Sequence, residues 1–168
     1  MTELATVLLS LMMLDAPVPV TGRCPDGRVW ATSDADQTHM LGLINGVRAE
    51  RSRPPLQRLG SLDRMAMVHA ADMACRGYFD HLNPERQALA DRLSIAAGAE
   101  APAWWRLAEI LGTSSSALRQ VRNWLDSRSH RQAMLDKSHD RVGVGLVRIA
   151  RGERYRTYWA VEFVEERR

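Results

Sequence analysis

Apolar residues recur at helical spacing through the first two thirds of the chain and at alternate positions near its end, which predicts helices first and a small sheet last. Met40, Leu43, Ile44 and Val47 lie at i, i+3, i+4 and i+7, one face of a helix for which Asp34 or Asp36 is the expected cap. Arg51-Ser52-Arg53-Pro54-Pro55 stops it. Ser61 is the expected cap of a second helix with the stripe Leu62, Met65, Ala66, His69 and Met73, and Gly77 ends it. Pro84 is placed to open a third helix that carries Leu89, Leu93 and Ala97 and closes at Gly98. Residues 99–106 read as irregular, with Trp104-Trp105 as an apolar plug, and 107–111 as a short strand or turn. Ser114-Ser115-Ser116 offers caps for a fourth helix through Leu118, Val121, Trp124 and Leu125, followed by a short helical piece over 129–135. The period then changes to two. Val142, Val144 and Leu146 alternate, Arg151-Gly152-Glu153 turns the chain, and Tyr155, Thr157, Trp159, Val161 and Phe163 alternate again, an antiparallel hairpin. Helices followed by a small antiparallel sheet argue for an α+β fold.

Upstream, residues 15–35 carry Pro17, Pro19, Gly22, Pro25 and Gly27 and read as an extended linker. Residues 4–14 are almost wholly apolar, too short to span a bilayer and about right for a signal-peptide core. Glu3, the lack of a positive residue before Arg23, and Pro17 after the cleavage point at Ala16 all count against a standard signal. The reading leans towards export to an extracellular or periplasmic location, with a cytoplasmic one as the alternative. The expected division is therefore 1–35, an apolar segment plus linker, and 36–168, one domain.

The chain of 168 residues is long enough to bury a core without metal or disulfide staples. Its formal charge is only +3, with basic and acidic residues interleaved, so it lacks the one-sided patch that nucleic-acid binding needs. No transmembrane helix is expected, and the chain is read as a monomer. Two cysteines, Cys24 and Cys75, permit one disulfide or two free thiols, and the sequence leaves both open.

Five blocks carry a resemblance to a known family. They are Leu43-Ile44-Asn45-Gly46-Val47-Arg48-Ala49-Glu50 with Pro55-Leu56, then Ala66-Met67-Val68-His69-Ala70-Ala71-Asp72-Met73 leading to Gly77-Tyr78-Phe79-Asp80-His81, then Trp124-x-x-Ser127-x-x-His130-Arg131-x-x-Met134-Leu135, then Gly143-Val144-Gly145, and last Tyr158-Trp159-Ala160-Val161-Glu162-Phe163. In this order they resemble the CAP superfamily (cysteine-rich secretory, antigen 5 and pathogenesis-related 1 proteins), especially its bacterial SCP-like extracellular branch. The resemblance covers roughly residues 37–165 and implies a three-layer α-β-α sandwich. It also implies a cleft lined by two histidines and two acids. By match these are His81, His130 and Glu109, with Ser127 where many members carry the second acid. Ala108-Glu109-Ile110 replaces the usual Gly-Glu-Asn, which removes a hydrogen-bonding amide.

Two imidazoles and a carboxylate suit a divalent metal such as zinc, with His81 and His130 as ligands, or a general acid–base pair. They equally suit a set of hydrogen bonds that ties loops together. Spacing alone favours the structural role, because each residue is isolated rather than part of a local chelate motif. His69 reads as a satisfied core histidine, and His39 and His139 as surface residues. Ser127 and Ser129 flank His130, yet nothing announces a nucleophile elbow or an oxyanion hole. Tyr78, Trp104, Trp105 and Trp159 would line an apolar groove or fill the core. Two functions follow: an exported binding module for a small apolar ligand, a cell-wall component or an extracellular protein, or a metal-assisted or acid–base hydrolase of an extracellular peptide or polymer. The missing second acid and asparagine favour binding, and the catalytic residues stay unassigned.

Overall fold

The computed structural model describes residues 21–97, 106–151 and 154–165. The described part of the stretch expected to be linker carries a hairpin of two short strands, β1 (Thr21–Arg23) and β2 (Val29–Ala31). The folded unit therefore reaches upstream of residue 36 at least to Thr21. Helix α1 (Asp34–Glu50) follows, capped by the Ser33 hydroxyl, which accepts from the Asp36 N–H at 3.2 Å. The two aspartates thus sit in the first turn, where they complement the helix dipole, rather than at the cap. After β3 (Gln57–Arg58), α2 (Gly60–Arg76) starts from Leu59 with no side-chain cap, so Ser61 does not serve as one. Gly77 ends α2 in the left-handed conformation (φ 76°), as expected of a C-terminal glycine. Helix α3 (Leu89–Ala97) begins five residues after Pro84, because residues 83–87 form a turn in which the Asn83 side chain bonds the Gln87 N–H and its amide oxygen.

The ambiguous segment is a strand, β4 (Arg106–Gly112). Ser116 caps α4 (Ala117–Asp126), and α5 (Arg128–Leu135) follows directly. The hairpin closes the fold as β5 (Arg141–Arg151) and β6 (Arg154–Glu165), paired from Arg141↔Val164 to Arg151↔Arg154. Gly98, Trp104-Trp105, residues 152–153 and the apolar segment 4–14 lie outside the described residues.

The sheet is larger than the hairpin alone predicts. Five of its six described strands run β1-β2-β5-β6-β4 with antiparallel neighbours throughout, and the sixth, β3, adds a short parallel pairing to β5. Both faces are covered. On one, Met40 and Ile44 of α1, Val121 and Trp124 of α4, and Met134 of α5 pack on Val142, Val144, Leu146, Trp159, Val161 and Phe163. On the other, Ala66, Ala70 and Met73 of α2 pack on Val147, Ile149, Tyr158 and Ala160, while Leu89 and Leu93 of α3 cover Val164. This is the three-layer α-β-α sandwich that the resemblance implied. Because helices cover both faces, the alternate residues of β6 are buried too, including Glu162.

Two close approaches set the spacing of the layers. A Cβ on Gly143 or Gly145 would stand 2.2 Å from the backbone carbon of Leu62 or Ala66, so α2 lies almost directly on β5. On the opposite face Arg48, fully buried, donates to four carbonyls: Pro54 (2.8 Å), Met134 (2.8 Å), Asp136 (2.9 Å) and His139 (3.3 Å). His139 is not a surface residue. It is 4% exposed, stacked on Phe163 with ring centroids 5.6 Å apart, and its Nδ1 faces the Ala133 carbonyl at 3.2 Å. His39 is exposed, as expected. Cys24 and Cys75 are joined in a disulfide that ties the β1–β2 hairpin to the end of α2.

Candidate functional site

Strand alternation puts Glu109 on the α2 face of β4, the edge strand, directly opposite Glu162 of β6. The loop 78–88 then folds over that edge. Its two ends are pinned: the Tyr78 hydroxyl donates to Asp72 Oδ2 at 2.5 Å, and Arg76 holds Glu85 through two bonds of 2.7 and 2.8 Å. Arg92 of α3 joins everything. Its guanidinium donates to the carbonyls of His81 (3.0 Å) and Gln87 (3.2 Å), pairs with Glu109 Oε2, and lies 3.9 Å from Glu162 Oε1.

Thus both Glu109 oxygens are engaged. Oε2 takes Arg92, and Oε1 faces His81 Nδ1 at 2.9 Å. With Nδ1 committed, the His81 side chain is still 54% exposed, against 4% for Glu109. The hydrogen bond to Glu109 raises the His81 pKa, with burial opposing. His130 stands on the first turn of α5, on the far side of the β4 edge. Burial first, and then the nearby His81, lower its pKa. The two imidazoles are near enough for the charge of one to act on the other, and their proton preferences are opposite.

This difference gives an expected titration order. Followed by NMR, the ring of His81 should titrate above the ordinary value of 6.5 and that of His130 below it, and His81→Ala should move His130 upward. Since the folded pKa of His81 is the raised one, the stability from its contact with Glu109 is fully present below about pH 6.5 and lost as pH rises through the folded value. The reverse order of titration would contradict the arrangement.

His69 has two roles. It is 1% exposed, with Nε2 3.1 Å from the Asp80 carbonyl, which fits a satisfied core residue. That same Nε2 also stands 3.8 Å from Glu109 Oε1, so His69 backs the site from below. Burial lowers its pKa. Glu162 lies deeper still, fully buried with neither carboxylate oxygen hydrogen-bonded among the described residues. Burial, and then repulsion from Glu109, push its pKa well above the ordinary carboxylate range.

Ser127 joins α4 to α5, and its hydroxyl meets Ser129 Oγ at 3.3 Å. Among the described residues neither serine bonds His130, so the arrangement of a base-activated nucleophile is not present. Zinc fits this donor set poorly. The one carboxylate beside His81 already holds a guanidinium, a fixed positive charge, and no group of three or more His, Cys, Asp or Glu among the described residues is placed to hold a metal. The residues that sequence reasoning missed are Arg92 and Glu162. Arg92 is the one cation on the short helix 89–97 that borders the Leu89 and Leu93 stripe, and Glu162 is an acid inside an otherwise apolar run.

The family model described as CAP, the cysteine-rich secretory protein family, matches residues 41–163. The uncharacterized protein YkwD of Bacillus subtilis (strain 168) is 25% identical over 130 residues, 77% of this chain and 47% of YkwD. The uncharacterized membrane protein YlbC of the same strain is 28% identical over 112 residues, 67% of this chain and 32% of YlbC. The chain thus spans less than half the length of either relative. Among solved structures, an extracellular protein containing an SCP domain from Bacillus anthracis superposes with a TM-score of 0.65 at 22% identity, over 79% of this chain and 41% of that one. An outer surface protein of Borrelia burgdorferi gives 0.69 at 18% identity, over 82% of this chain and 98% of that one. At these identities the structural likeness speaks for the fold. No described helix is long and apolar enough to cross a membrane.

Proposed function

Because the chain belongs to the CAP family of cysteine-rich secretory proteins, we propose that it is an exported binding module whose cleft, with His81, Glu109, His130 and Ser127 around it, recognises a cell-wall component or an extracellular protein. The observation that carries this reading is the double engagement of Glu109 by His81 and Arg92. A carboxylate so held positions the imidazole and does not serve as a free base. The charged surroundings favour a polar ligand over the small apolar one. Location outside the cytoplasm fits the extracellular SCP protein of Bacillus anthracis and the disulfide, which oxidising compartments preserve.

One observation favours a second reading. The opposed proton preferences of His81 and His130 are what an acid–base hydrolase would use. Cosedimentation with isolated bacterial cell-wall sacculi separates the two. Wild type should pellet with the sacculi and His81→Ala/His130→Ala should stay in solution, with no soluble fragments released by either. Fragments released by wild type and not by His130→Ala would replace binding with hydrolysis. Zinc calorimetry on the same two proteins should show no saturable binding in either.

A further inference from the structure

A second groove, of about 530 Å³, opens where β4 ends. β4 stops at Gly112, opposite Trp159, whereas β6 continues back to Arg154. Residues 154–158 therefore have a strand neighbour only on the β5 side among the described residues. Alternate residues of an antiparallel strand direct their N–H and C=O groups to opposite sides, so part of this stretch turns its backbone towards the groove. The chain leaving β4 becomes one wall, with Thr113 and Ser115. It is fixed in place by the bond from Trp159 Nε1 to the Ser114 carbonyl (2.8 Å) and by the Ser114 N–H donating to Gln120 Oε1 (2.9 Å). Tyr78 and Phe79 form the opposite wall, next to the disulfide at Cys75, and Phe79 is 50% exposed.

Arg156 supplies the charge. It lines this groove and an adjoining hollow of about 200 Å³, and its guanidinium has no hydrogen-bond or ion-pair partner among the described residues. The other arginines of that hollow are committed: Arg28 to Asp26 and the Cys75 carbonyl, Arg76 to Glu85 and Asp72. A strand edge, exposed aromatic and hydroxyl side chains, and one uncommitted guanidinium together match a single kind of occupant.

We propose that this groove binds an extended peptide segment carrying a carboxylate, which adds to the β6 edge over residues 154–158 and pairs with Arg156. Backbone hydrogen bonds to the edge hold any sequence in register, and the guanidinium selects the acidic one. The groove is distinct from the His81–Glu109 cleft, so the proposal stands whether that cleft binds or hydrolyses.

The probe is a fluorescent pool of randomised pentapeptides ending in glutamate with an amidated C-terminus, against the same pool ending in glutamine. Wild type should retain the acidic pool roughly tenfold better, the difference one charge-assisted hydrogen bond makes. Arg156→Ala, at an exposed position that does not bear on folding, should erase that preference. N-methylation of the peptides at alternate residues should abolish retention, and NMR should place the perturbed amides at Thr113 and Thr157. A preference that survives R156A, retention that is indifferent to N-methylation, or no retention of either pool would overturn the proposal. So would binding of an oligogalacturonate at Arg156 in place of the peptides, which would make the site a saccharide subsite.

Discussion

Replacing Arg92 with methionine is expected to destabilise the protein by about 3–5 kcal/mol, the usual effect of removing one partner from a buried charge pair. The side chain is 11% exposed and the Glu109 carboxylate it meets is 4% exposed, so water cannot take over the lost interaction cheaply. Methionine keeps most of the volume, which isolates the charge from the packing. Three things fail together. Glu109 faces Glu162 across the β4–β6 register without a cation between them, the carbonyls of His81 and Gln87 lose their donor, and the loop over the cleft loses its central anchor. Urea unfolding of R92M against wild type at pH 7 measures the cost. Adding Glu162→Gln should recover part of it by removing one of the two facing acids. A cost below about 1 kcal/mol would mean that Arg92 is solvated rather than structural.

Opening the Cys24–Cys75 disulfide should have an effect of similar size. The two cysteines are 51 residues apart, and closing a loop of that length restricts the unfolded chain by about 4 kcal/mol in the chain-entropy account. The folded state loses little else directly, because Cys24 also sits in the packed cluster with Trp30, Met73 and Ala74. Cys24→Ser/Cys75→Ser, and wild type held in reductant, should therefore both unfold at clearly lower urea and regain cooperativity on refolding. If the reduced protein matched the oxidised one within about 1 kcal/mol, the bridge would merely decorate a hairpin that docks without it. The site should respond weakly, since His81 and Glu109 are held by Arg92 and not by the bridge.

The elements were legible wherever the pattern was local. Met40 and Ile44, Gly77 at the end of α2, and the alternation of Trp159, Val161 and Phe163 each report a period or a backbone angle that neighbours in sequence decide. The β1–β2 hairpin was not, because strands of three residues carry no readable alternation and their stability comes from Trp30 pairing with Ile149 and from the disulfide. His139 and Arg48 were hidden for the same reason. A polar residue signals burial only through its partners, and those of Arg48 lie 86 to 91 positions away at Met134, Asp136 and His139. Of the candidate residues, His81, Glu109 and His130 stand beside motifs that the sequence shows. Arg92 belongs to no such motif and Glu162 is an unmarked acid within one; the register of β4 on β6 brings Glu162 opposite Glu109, and the packing of α3 brings Arg92 there.

The order of strands in the sheet also governs how the chain can assemble as it is made. β5 and β6 lie at the centre of the sheet and follow every other described element in the chain. Helix α1 emerges long before the carbonyls that Arg48 will meet, and α2 before Gly143 and Gly145 on which it rests. Until then these helices have no surface to cover, and most helical stability in a protein comes from packing an apolar face. A nascent chain that has not yet reached residue 141 therefore lacks the strands on which both helical layers pack, and those layers have their common surface only once 141–165 are made.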